Sequence, residues 1–556
     1  MAMRGSFLKA APFDLDDEGH AWVLATLDAL TPDERVGQLF NFRLGGGDAA
    51  EARALMALKP GGVTRAVGQD GAHEVAVMAG LHALARVPLL ISADLEGSRM
   101  SLPFGTEVPN PLALAAVDDL AASRAICAIM AEEARAIGIN WSFTPVLDIN
   151  AAFRSAIVAT RGFGSNPERI ARQALAQIEV FQARGVAATA KHWPGEGHDD
   201  RDQHLLTTIK PLSRSAWQAT HGNLYRQAIA AGVKSVMSAH IALPFYAKEQ
   251  GAEGVEVYRP ASISKALNIG LLRGELGFNG LIVSDATPMA GLGSWGPYSE
   301  TLPEIINAGC DVILFAPDPV AAVAIVAMAV EDGRIPAARV EEALLRVLGL
   351  KASLGLHRGV SAPKVLADDA VPSRADVARA VTARAPVLEK DVQGLLPLSL
   401  DKHRRVLILT TGVVVPFLPL PLPLDLPDML RAEGFEVTVG VAGQGPMPQP
   451  PGFDLVLYVL AQETLLTLGR IFFDWLKLGG GLGPAMARHW HDVPMALISF
   501  GYPYYLYDAP RMPTVINAFA TMPTMQAAVV ACLMGRAKFG NNSPVDAFCG
   551  LGDARY

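Results

Sequence analysis

Ionisable side chains stand at the ends of several short apolar runs that are rich in β-forming residues. Five such runs end in charged or imidazole groups: Asp94, Asp148, Lys191 with His192, His240, and Asp285. In a barrel of parallel strands, the carboxyl ends of the strands form one face, and active sites are built there. Aspartate alone could be a helix cap, but lysine and histidine are poor caps. Together the five positions predict a functional site.

The densest polar stretch is the segment 191–204, whose sequence is KHWPGEGHDDRDQH. Its proline and glycines predict a loop rather than a helix. Histidine and carboxylate groups can bind zinc or iron, but the segment has no His-x-x-x-His pair and no paired cysteines, so no metal is expected. Asp202 stands two residues before His204, where a carboxylate could orient the imidazole and raise its basicity. Proton transfer is therefore the chemistry that this loop favours.

Short β-rich runs alternate with longer helical segments between residues 30 and 320, which is typical of parallel strands with crossover helices. Helices are predicted over 120–137 and 167–183, where apolar residues recur at steps of three and four. The predicted strands are 38–42, 62–66, 87–92, 141–147, 186–190, 235–238, 281–284 and 312–315. Eight strands in about 300 residues predict a TIM (β/α)8 barrel, which we assign to residues 1–355.

The composition changes after the predicted barrel. Residues 356–400 contain scattered prolines and glycines and are predicted to be a linker with room for one helix. The α/β alternation then restarts, and residues 401–556 are predicted to form a second α/β domain. Its predicted strands are 406–410, 436–441, 455–460 and 495–500. The Pro/Leu-rich stretch 413–427 is expected to be extended or irregular. The glycine patch 479–483 follows a helix-like run rather than a strand, which argues against a dinucleotide site.

The composition also limits the class of protein and its partners. Lysine and arginine number 47 against 55 aspartates and glutamates, a net charge of −8 with no basic block, so nucleic-acid binding is not expected. No apolar run reaches the roughly 20 residues of a membrane span, and residues 1–20 lack the apolar core of a secretory signal. The four cysteines stand far apart without a CxxC pair. We therefore expect reduced thiols and a cytoplasmic location.

These motifs resemble glycoside hydrolase family 3, in particular its bacterial β-N-acetylhexosaminidase branch. The loop 191–204 is similar to the K-H-F-P-G-H-G-x-x-x-x-D-S-H loop of that branch, which is the most specific likeness. Other segments that resemble family motifs are 31–39 (TPDERVGQL), 90–99 (LISADLEGSR), 138–148 (GINWSFTPVLD), 161–164 (RGFG) and 278–285 (FNGLIVSD). Residues 394–545 are similar to the family's αβα sandwich domain. The resemblance covers nearly the whole chain and implies a (β/α)8 barrel followed by an α/β/α sandwich.

The resemblance implies a retaining, exo-acting glycoside hydrolase that removes a terminal β-linked N-acetylhexosamine and needs no cofactor. It assigns Asp285 as the nucleophile of a covalent glycosyl-enzyme, and His204 with Asp202 as the general acid/base. It assigns binding of the sugar in subsite −1 to Asp94, Arg161, Lys191 and His192. Reference pKa values are about 3.9 for aspartate and about 6.5 for histidine. The nucleophile would therefore be ionised at neutral pH, and the imidazole could both donate and accept a proton.

Four positions depart from the pattern of that branch. Glu196 stands in place of histidine, His198 in place of aspartate, Gln203 in place of serine, and Leu102 in place of an arginine that helps to bind the substrate. These departures leave the sugar open, with a β-glucosidase of the same mechanism as an alternative. A neutral imidazole would not repel an anionic acceptor, so phosphorolysis also stays open. The intact catalytic positions disfavour a non-catalytic sugar-binding protein. The expected partner is a glycoside or oligosaccharide, without nucleic acid or membrane, and a homodimer is compatible with the sequence.

Overall fold

Eight parallel strands form a nearly closed barrel in the computed structural model, which describes residues 4–369, 371–416 and 418–556. The strands are β1 (Phe40–Leu44), β2 (Gly62–Arg65), β3 (Leu90–Ala93), β4 (Trp141–Ser142), β5 (Thr189–Trp193), β6 (Ser235–Ser238), β7 (Leu281–Ser284) and β8 (Ile313–Leu314). Strands β8, β1, β2, β3 and β4 pair in that order, as do β5, β6 and β7. Single parallel bridges, from Trp141 to Ala187 and from Val283 to Val312, join the two groups into a ring. The predicted (β/α)8 barrel is confirmed.

Six of the eight barrel strands differ from their predicted bounds, and the differences in β4 and β5 concern the site. The strand expected over 141–147 is regular only at Trp141–Ser142, because Pro145 has no N–H to continue the ladder. A bridge from Val146 to Lys191 resumes the pairing beyond the proline. The next strand is shifted toward the C-terminus and runs over Thr189–Trp193. Lys191 and His192 therefore lie within the strand end rather than after it.

Helices surround the barrel, and local signals set their bounds. Leu120–Ile137 begins after Asp119, whose carboxylate accepts hydrogen bonds from two N–H groups of the first turn. It ends at Gly138, which has a φ of +104°. The bounds of this helix and of Pro167–Ala183 agree with the prediction. The other helices around the barrel are Asp17–Ala29, Pro32–Gly37, Ala49–Met56, Gly71–Leu84, Pro111–Val117, Arg214–Ala219, His221–Ala230, Pro244–Glu249, the π-helix Ala266–Glu275, Ala290–Gly293, Tyr298–Asn307, Pro319–Glu331 and Ala337–Ser353.

A six-stranded mixed sheet forms the core of the C-terminal part. Its strands are β9 (Val387–Asp391), β10 (Arg405–Val414), β11 (Glu436–Val441), β12 (Leu455–Gln462), β13 (Met495–Ser499) and β14 (Thr514–Asn517). They lie in the order β9-β14-β13-β12-β10-β11, and only β9 is antiparallel to its neighbour. Helices of this part are Arg374–Thr382, Leu400–His403, Leu426–Ala432, Trp475–Gly479, Leu482–Met486 and Pro523–Leu533. This second α/β layer agrees with the predicted fold class.

The segment 356–400 contains more structure than the sequence analysis expected. Besides the helix Arg374–Thr382, it includes β9, which is an edge strand of the second sheet. The sequence of β9, VLEKD, carries charges at the half-buried Glu389 and Asp391 and at the buried Lys390, and so lacks the continuous apolar run of a central strand. The Pro/Leu-rich stretch is largely irregular, as predicted, although β10 extends into it and Val413 pairs with Leu422.

The loop after β12, a central strand of the second sheet, contacts loops at the mouth of the barrel. Glu463, which directly follows β12, is buried between the two domains. Its carboxylate accepts hydrogen bonds from Ser98 Oγ at 2.6 Å and Asn110 Nδ2 at 3.1 Å, both from the barrel. It also accepts one from the main-chain N–H of Thr521 at 2.8 Å. The loop after β12 is thereby fixed against the mouth of the barrel.

All four cysteines are free thiols, and three of them are buried. Within the described ranges, none of the helices combines the length and the apolar character that a membrane crossing requires.

Candidate active site

The side chains singled out at the strand ends meet at the mouth of the barrel. Asp94 follows β3, Lys191 and His192 belong to the end of β5, and Asp285 follows β7. The dyad loop, which we define as residues 198–207, lies after β5 and carries His204. The structure therefore brings all the site residues predicted from the sequence to one face.

Asp285, the predicted nucleophile, has one engaged and one open carboxylate oxygen. Its Oδ1 accepts a hydrogen bond from the N–H of Ala286 at 2.8 Å. Its Oδ2 is buried and has no hydrogen-bond partner within the part of the chain that the structure describes. Burial alone would raise the pKa of Asp285, but the charges of His192, His240 and His204 and the Ala286 N–H outweigh it and lower that pKa. The open oxygen thus belongs to an ionised carboxylate.

Asp202 and His204 form a hydrogen-bonded dyad on the dyad loop. Nδ1 of His204 lies 2.7 Å from Asp202 Oδ1, which also accepts the main-chain N–H of His204 at 2.9 Å. Asp202 is buried, whereas 23% of the His204 side chain is exposed. Burial alone would raise the pKa of Asp202, but the hydrogen bonds and charge of His204, with a smaller contribution from the Thr467 N–H, outweigh it and lower that pKa, so the carboxylate stays ionised. Since Nδ1 faces the carboxylate, Nε2 is the imidazole nitrogen left to exchange protons with a ligand.

The second domain contributes a hydrogen-bond donor to this dyad. The main-chain N–H of Thr467, in the loop after β12, donates to Asp202 Oδ2 at 2.8 Å. Thr467 has a φ of +65°, so the loop adopts a left-handed turn at this point. Sequence reasoning left open whether the second domain takes part in the site. A main-chain contact has no residue-type signal, and the sequence could not have revealed it.

A buried ion network supports the predicted sugar-binding residues. Lys191 Nζ lies 2.7 Å from both Asp94 Oδ1 and Glu96 Oε1. Glu96 in turn accepts two hydrogen bonds from Arg161, each 2.9 Å long. Burial would raise the pKa of Glu96, but Arg161 and Lys191 lower it to about 2. The side chain of Lys191 is 2% exposed and that of Asp94 is 35% exposed, so of this pair Asp94 is the member accessible at the mouth of the barrel.

Glu96 is a residue that sequence reasoning included in a motif without giving it a role. Its spacing of two residues from Asp94 places both side chains on the same side of the chain after β3, which was an available signal. The carboxylate neutralises Lys191 and Arg161 and fixes both cations in position. A sugar hydroxyl would therefore meet side chains whose orientation is already set.

His192 is held by Asp148. Its Nδ1 lies 2.6 Å from Asp148 Oδ2, and its main-chain N–H donates to Asp148 Oδ1 at 3.1 Å. Nε2 of His192 lies 3.4 Å from Arg161 Nη2, on the side of the sugar-binding network. Burial raises the pKa of Asp148, but His192 and two main-chain N–H groups outweigh it and lower that pKa.

A buried cluster of carboxylates and imidazole could in principle hold a metal. The candidate ligand atoms of Asp148, His192 and Glu196 lie within 4.8 Å of one another. However, His192 Nδ1 already donates to Asp148, and Glu196 Oε2 accepts from the Gln203 amide at 3.1 Å. The cluster is therefore organised by hydrogen bonds among its own members.

A buried lysine that the sequence analysis missed, Lys210, lies three residues after the dyad loop. Lys210 is buried, and its Nζ lies 2.8 Å from His198 Nδ1 and 3.1 Å from His221 Nε2. Burial lowers the pKa of Lys210 to about 7 and that of His198 to about 4. His198, the first residue of the dyad loop, thus contacts Lys210 and is not part of the dyad. Leu102, which stands where the branch pattern has an arginine, is buried and contributes no charge.

Comparisons with known proteins agree with this architecture. A family model described as "Glycosyl hydrolase family 3 N terminal domain" matches residues 31–350. A relative from Cellulomonas fimi named "Beta-N-acetylglucosaminidase/beta-glucosidase" is 39% identical, over 98% of this chain and 99% of its own. A solved structure titled "Beta-glucoside phosphorylase BglX" has a TM-score of 0.90 at 31% identity and covers 100% of both chains. That of a family 3 β-N-acetylglucosaminidase from Paenibacillus sp. str. FPU-7 has a TM-score of 0.80 at 27% identity, covering 94% of this chain and 100% of its own. The family resemblance predicted from the motifs is confirmed.

Proposed function

We propose that this chain, which belongs to glycosyl hydrolase family 3, removes a terminal β-linked sugar with retention of configuration and prefers N-acetylglucosamine. The observation that carries the proposal is the open Oδ2 of an ionised Asp285 on the same face as the Asp202–His204 dyad. The name of the Cellulomonas fimi relative joins N-acetylglucosaminidase and glucosidase activity. That relative supports the sugar class and leaves glucose as the alternative.

In the first step, Asp285 Oδ2 would attack the anomeric carbon and form a glycosyl ester. The bond to the leaving oxygen breaks as His204 Nε2 gives its proton to that oxygen. This step requires a proton on both ring nitrogens of His204: Nδ1–H donates to Asp202, and the proton on Nε2 is the one transferred. The ionised Asp202 stabilises this positive charge before the transfer and keeps the ring oriented during it.

In the second step, water would attack the anomeric carbon from the side of the departed group. His204 takes one proton from that water, and the ester bond to Asp285 breaks, which returns both residues to their starting states. Two inversions at one carbon give net retention. Asp94, with Lys191 and Arg161 behind it, would bind hydroxyls of the sugar in both steps.

Phosphorolysis is a second candidate because phosphate could replace water in the second step. The acid/base is an imidazole, which is neutral after giving up its proton and would not repel an anion, whereas a carboxylate would. The solved structure titled beta-glucoside phosphorylase, similar over the whole chain, also favours this alternative. The cytoplasmic location and the homodimer stay predictions from the sequence.

Initial rates on nitrophenyl β-N-acetylglucosaminide and nitrophenyl β-glucoside test the proposal. They are measured for the wild type, for Asp285→Ala, and for Asp200→Ala as a control at an exposed aspartate. We expect the N-acetyl substrate to react faster, the Asp285 variant to be inactive, and the control to match the wild type. A faster glucoside would move the preference to glucose. Sugar 1-phosphate formed on adding phosphate would establish phosphorolysis, and turnover by Asp285→Ala would refute the nucleophile.

A further inference from the structure

Two of the positions at which the chain departs from its family pattern, Glu196 and Gln203, are in direct contact in the structure. Both side chains are buried, and they join through a hydrogen bond of 3.1 Å. We propose that Gln203 and Glu196 form an anchor that holds the dyad loop in its working position, so that both are positioning residues for His204. This inference rests on the proposed acid/base role of His204.

Glu196 provides the fixed end of this anchor. Its main-chain N–H donates to Asp148 Oδ1 at 2.8 Å, and its carbonyl accepts from His221 Nε2 at 3.2 Å. The next residue, Gly197, has a φ of +98°, and a Cβ there would lie 2.0 Å from the carbonyl oxygen of Ile149. Only glycine fits so close an approach in this conformation. The main chain around Glu196 is therefore locked, and its carboxyl group is presented from a rigid base.

Gln203 uses both ends of its amide. Its Nε2 donates to Glu196 Oε2 at 3.1 Å, and its Oε1 accepts the main-chain N–H of His240 at 3.1 Å. Because a main-chain N–H can only donate, the amide oxygen must face His240 and the amide nitrogen must face Glu196. A serine at this position ends at its Oγ, two atoms closer to the main chain than the tip of the amide, and could not bridge both partners.

The anchor acts on the dyad because Gln203 stands between Asp202 and His204. The main-chain carbonyl of Gln203 accepts from the N–H of Gly291 at 3.2 Å, and that of His204 accepts from Ala290 at 3.0 Å. The side chain of Gln203 adds the attachment to the end of β6, where His240 Nε2 lies 3.0 Å from the carbonyl oxygen of Ala286, the residue after the nucleophile. One amide thus links the acid/base loop to the strand ends that carry Asp285.

The surroundings of Glu196 favour a neutral carboxyl group as the partner of the Gln203 side-chain amide. Burial and the negative charge of Asp148 raise the pKa of Glu196 well above its usual range, which favours the neutral form of the carboxyl group. Its Oε2 accepts from Gln203, and its Oε1 is buried without a hydrogen-bond partner among the described residues. A glutamine at 196 could present its amide oxygen in the same way.

Four variants test the anchor: Gln203→Ser, Glu196→His, the double variant with both family residues, and Glu196→Gln as the conservative control. Each is measured as kcat/KM on a phenyl β-glycoside, whose leaving group needs a proton, and on a dinitrophenyl β-glycoside, whose leaving group does not. We expect Gln203→Ser to lose about ten- to a hundredfold on the phenyl substrate, part of what a general acid contributes, and little on the other. Glu196→Gln should retain wild-type values, and the double variant should recover part of the loss of the single variants. An equal loss on both substrates, or no loss, would overturn the proposal.

A second measurement does not depend on activity. Hydrogen exchange of the amides of residues 199–208 and of His240 is compared between the wild type and Gln203→Ser. We expect exchange to be about tenfold faster in the variant, as for the loss of one buried hydrogen bond. If the wild type hydrolyses neither glycoside, the proposed function fails while this comparison still tests the anchor. Unchanged exchange would refute the anchor whatever the activity.

Discussion

The substitution Asp202→Asn removes the charge that supports His204 while keeping the size of the side chain. In the native protein both carboxylate oxygens accept hydrogen bonds: Oδ1 from His204 at 2.7 Å and Oδ2 from the Thr467 N–H at 2.8 Å. An asparagine has one accepting oxygen, so its NH2 group must face either the imidazole or the Thr467 N–H, donor against donor. The variant therefore loses the charge and one hydrogen bond together.

The size of the effect follows from the environment of the pair. A hydrogen bond to a charged group contributes about 1.5–3 kcal/mol. Asp202 is buried, but the His204 side chain is partly exposed, so water screens part of the interaction and the lower half of this range applies. About 1.5–2 kcal/mol corresponds to a fall of roughly 10- to 30-fold in rate. The loss should appear in kcat/KM for a phenyl β-glycoside, whose departure requires the proton of His204.

The assay compares wild type, Asp202→Asn and Asp200→Asn under identical conditions. Asp200 lies in the same loop and is exposed, so the same substitution there tests the chemical change without the dyad. We expect the control to stay within about twofold of the wild type, as for surface substitutions generally. A kcat/KM for Asp202→Asn equal to that of the control would refute the assignment of Asp202 as the partner of the acid/base.

Three further predictions concern the supports of the site. Thr467→Pro removes the N–H that Asp202 Oδ2 accepts and, since proline fixes φ near −65°, also the left-handed turn, so it should lower kcat/KM by about tenfold or more. Thr467→Gly keeps both and should match the wild type; equal losses for the two variants would exclude the contact. Because the pKa of Glu96 is lowered to about 2, its ionised form stabilises the fold above its unfolded pKa. That stabilisation should disappear as the pH falls from about 4.5 to 2 in thermal unfolding of the wild type, and Glu96→Gln should lack this dependence. Burial lowers the pKa of Lys210 to about 7, so the folded state binds fewer protons than the unfolded state between pH 7 and the usual lysine pKa. The free energy of unfolding should therefore rise with pH there, by at most about 1.4 kcal/mol per unit, and Lys210→Met should flatten the slope in urea titrations.

Much of the fold could be predicted because its signals are local. The helix 120–137 has an aspartate cap, a repeating apolar face and a terminal glycine, and its predicted bounds agree with the structure. Strands buried on both faces, such as β6 and β7, also appear as short apolar runs with matching bounds. The edge strand β9 was missed because its half-buried side chains include charges and its partner β14 lies more than a hundred residues away. Pairing over that distance leaves no local trace.

The site residues also fall into those that the sequence could predict and those that it could not. Asp285, Asp94 and the Asp202–His204 pair stand at positions that the barrel topology itself brings together, so residue type and strand ends were enough to select them. The roles of Glu96 and Lys210 depend on which charges surround them, and those charges come from different strands and loops. Their functions could be read only after the chain was folded.

The proposed acid/base is assembled from both domains, and this follows from two contacts only four residues apart. Glu463 is fixed by the barrel residues Ser98 and Asn110, and Thr467 then reaches Asp202 from the same loop. A short segment held at its start has little freedom at its end, so the Thr467 N–H is presented to the dyad without a large loss of entropy. The barrel alone can position the nucleophile and the sugar-binding network. Asp202, which orients His204, takes one of its hydrogen bonds from the second domain, so the dyad is complete only when both domains are in place.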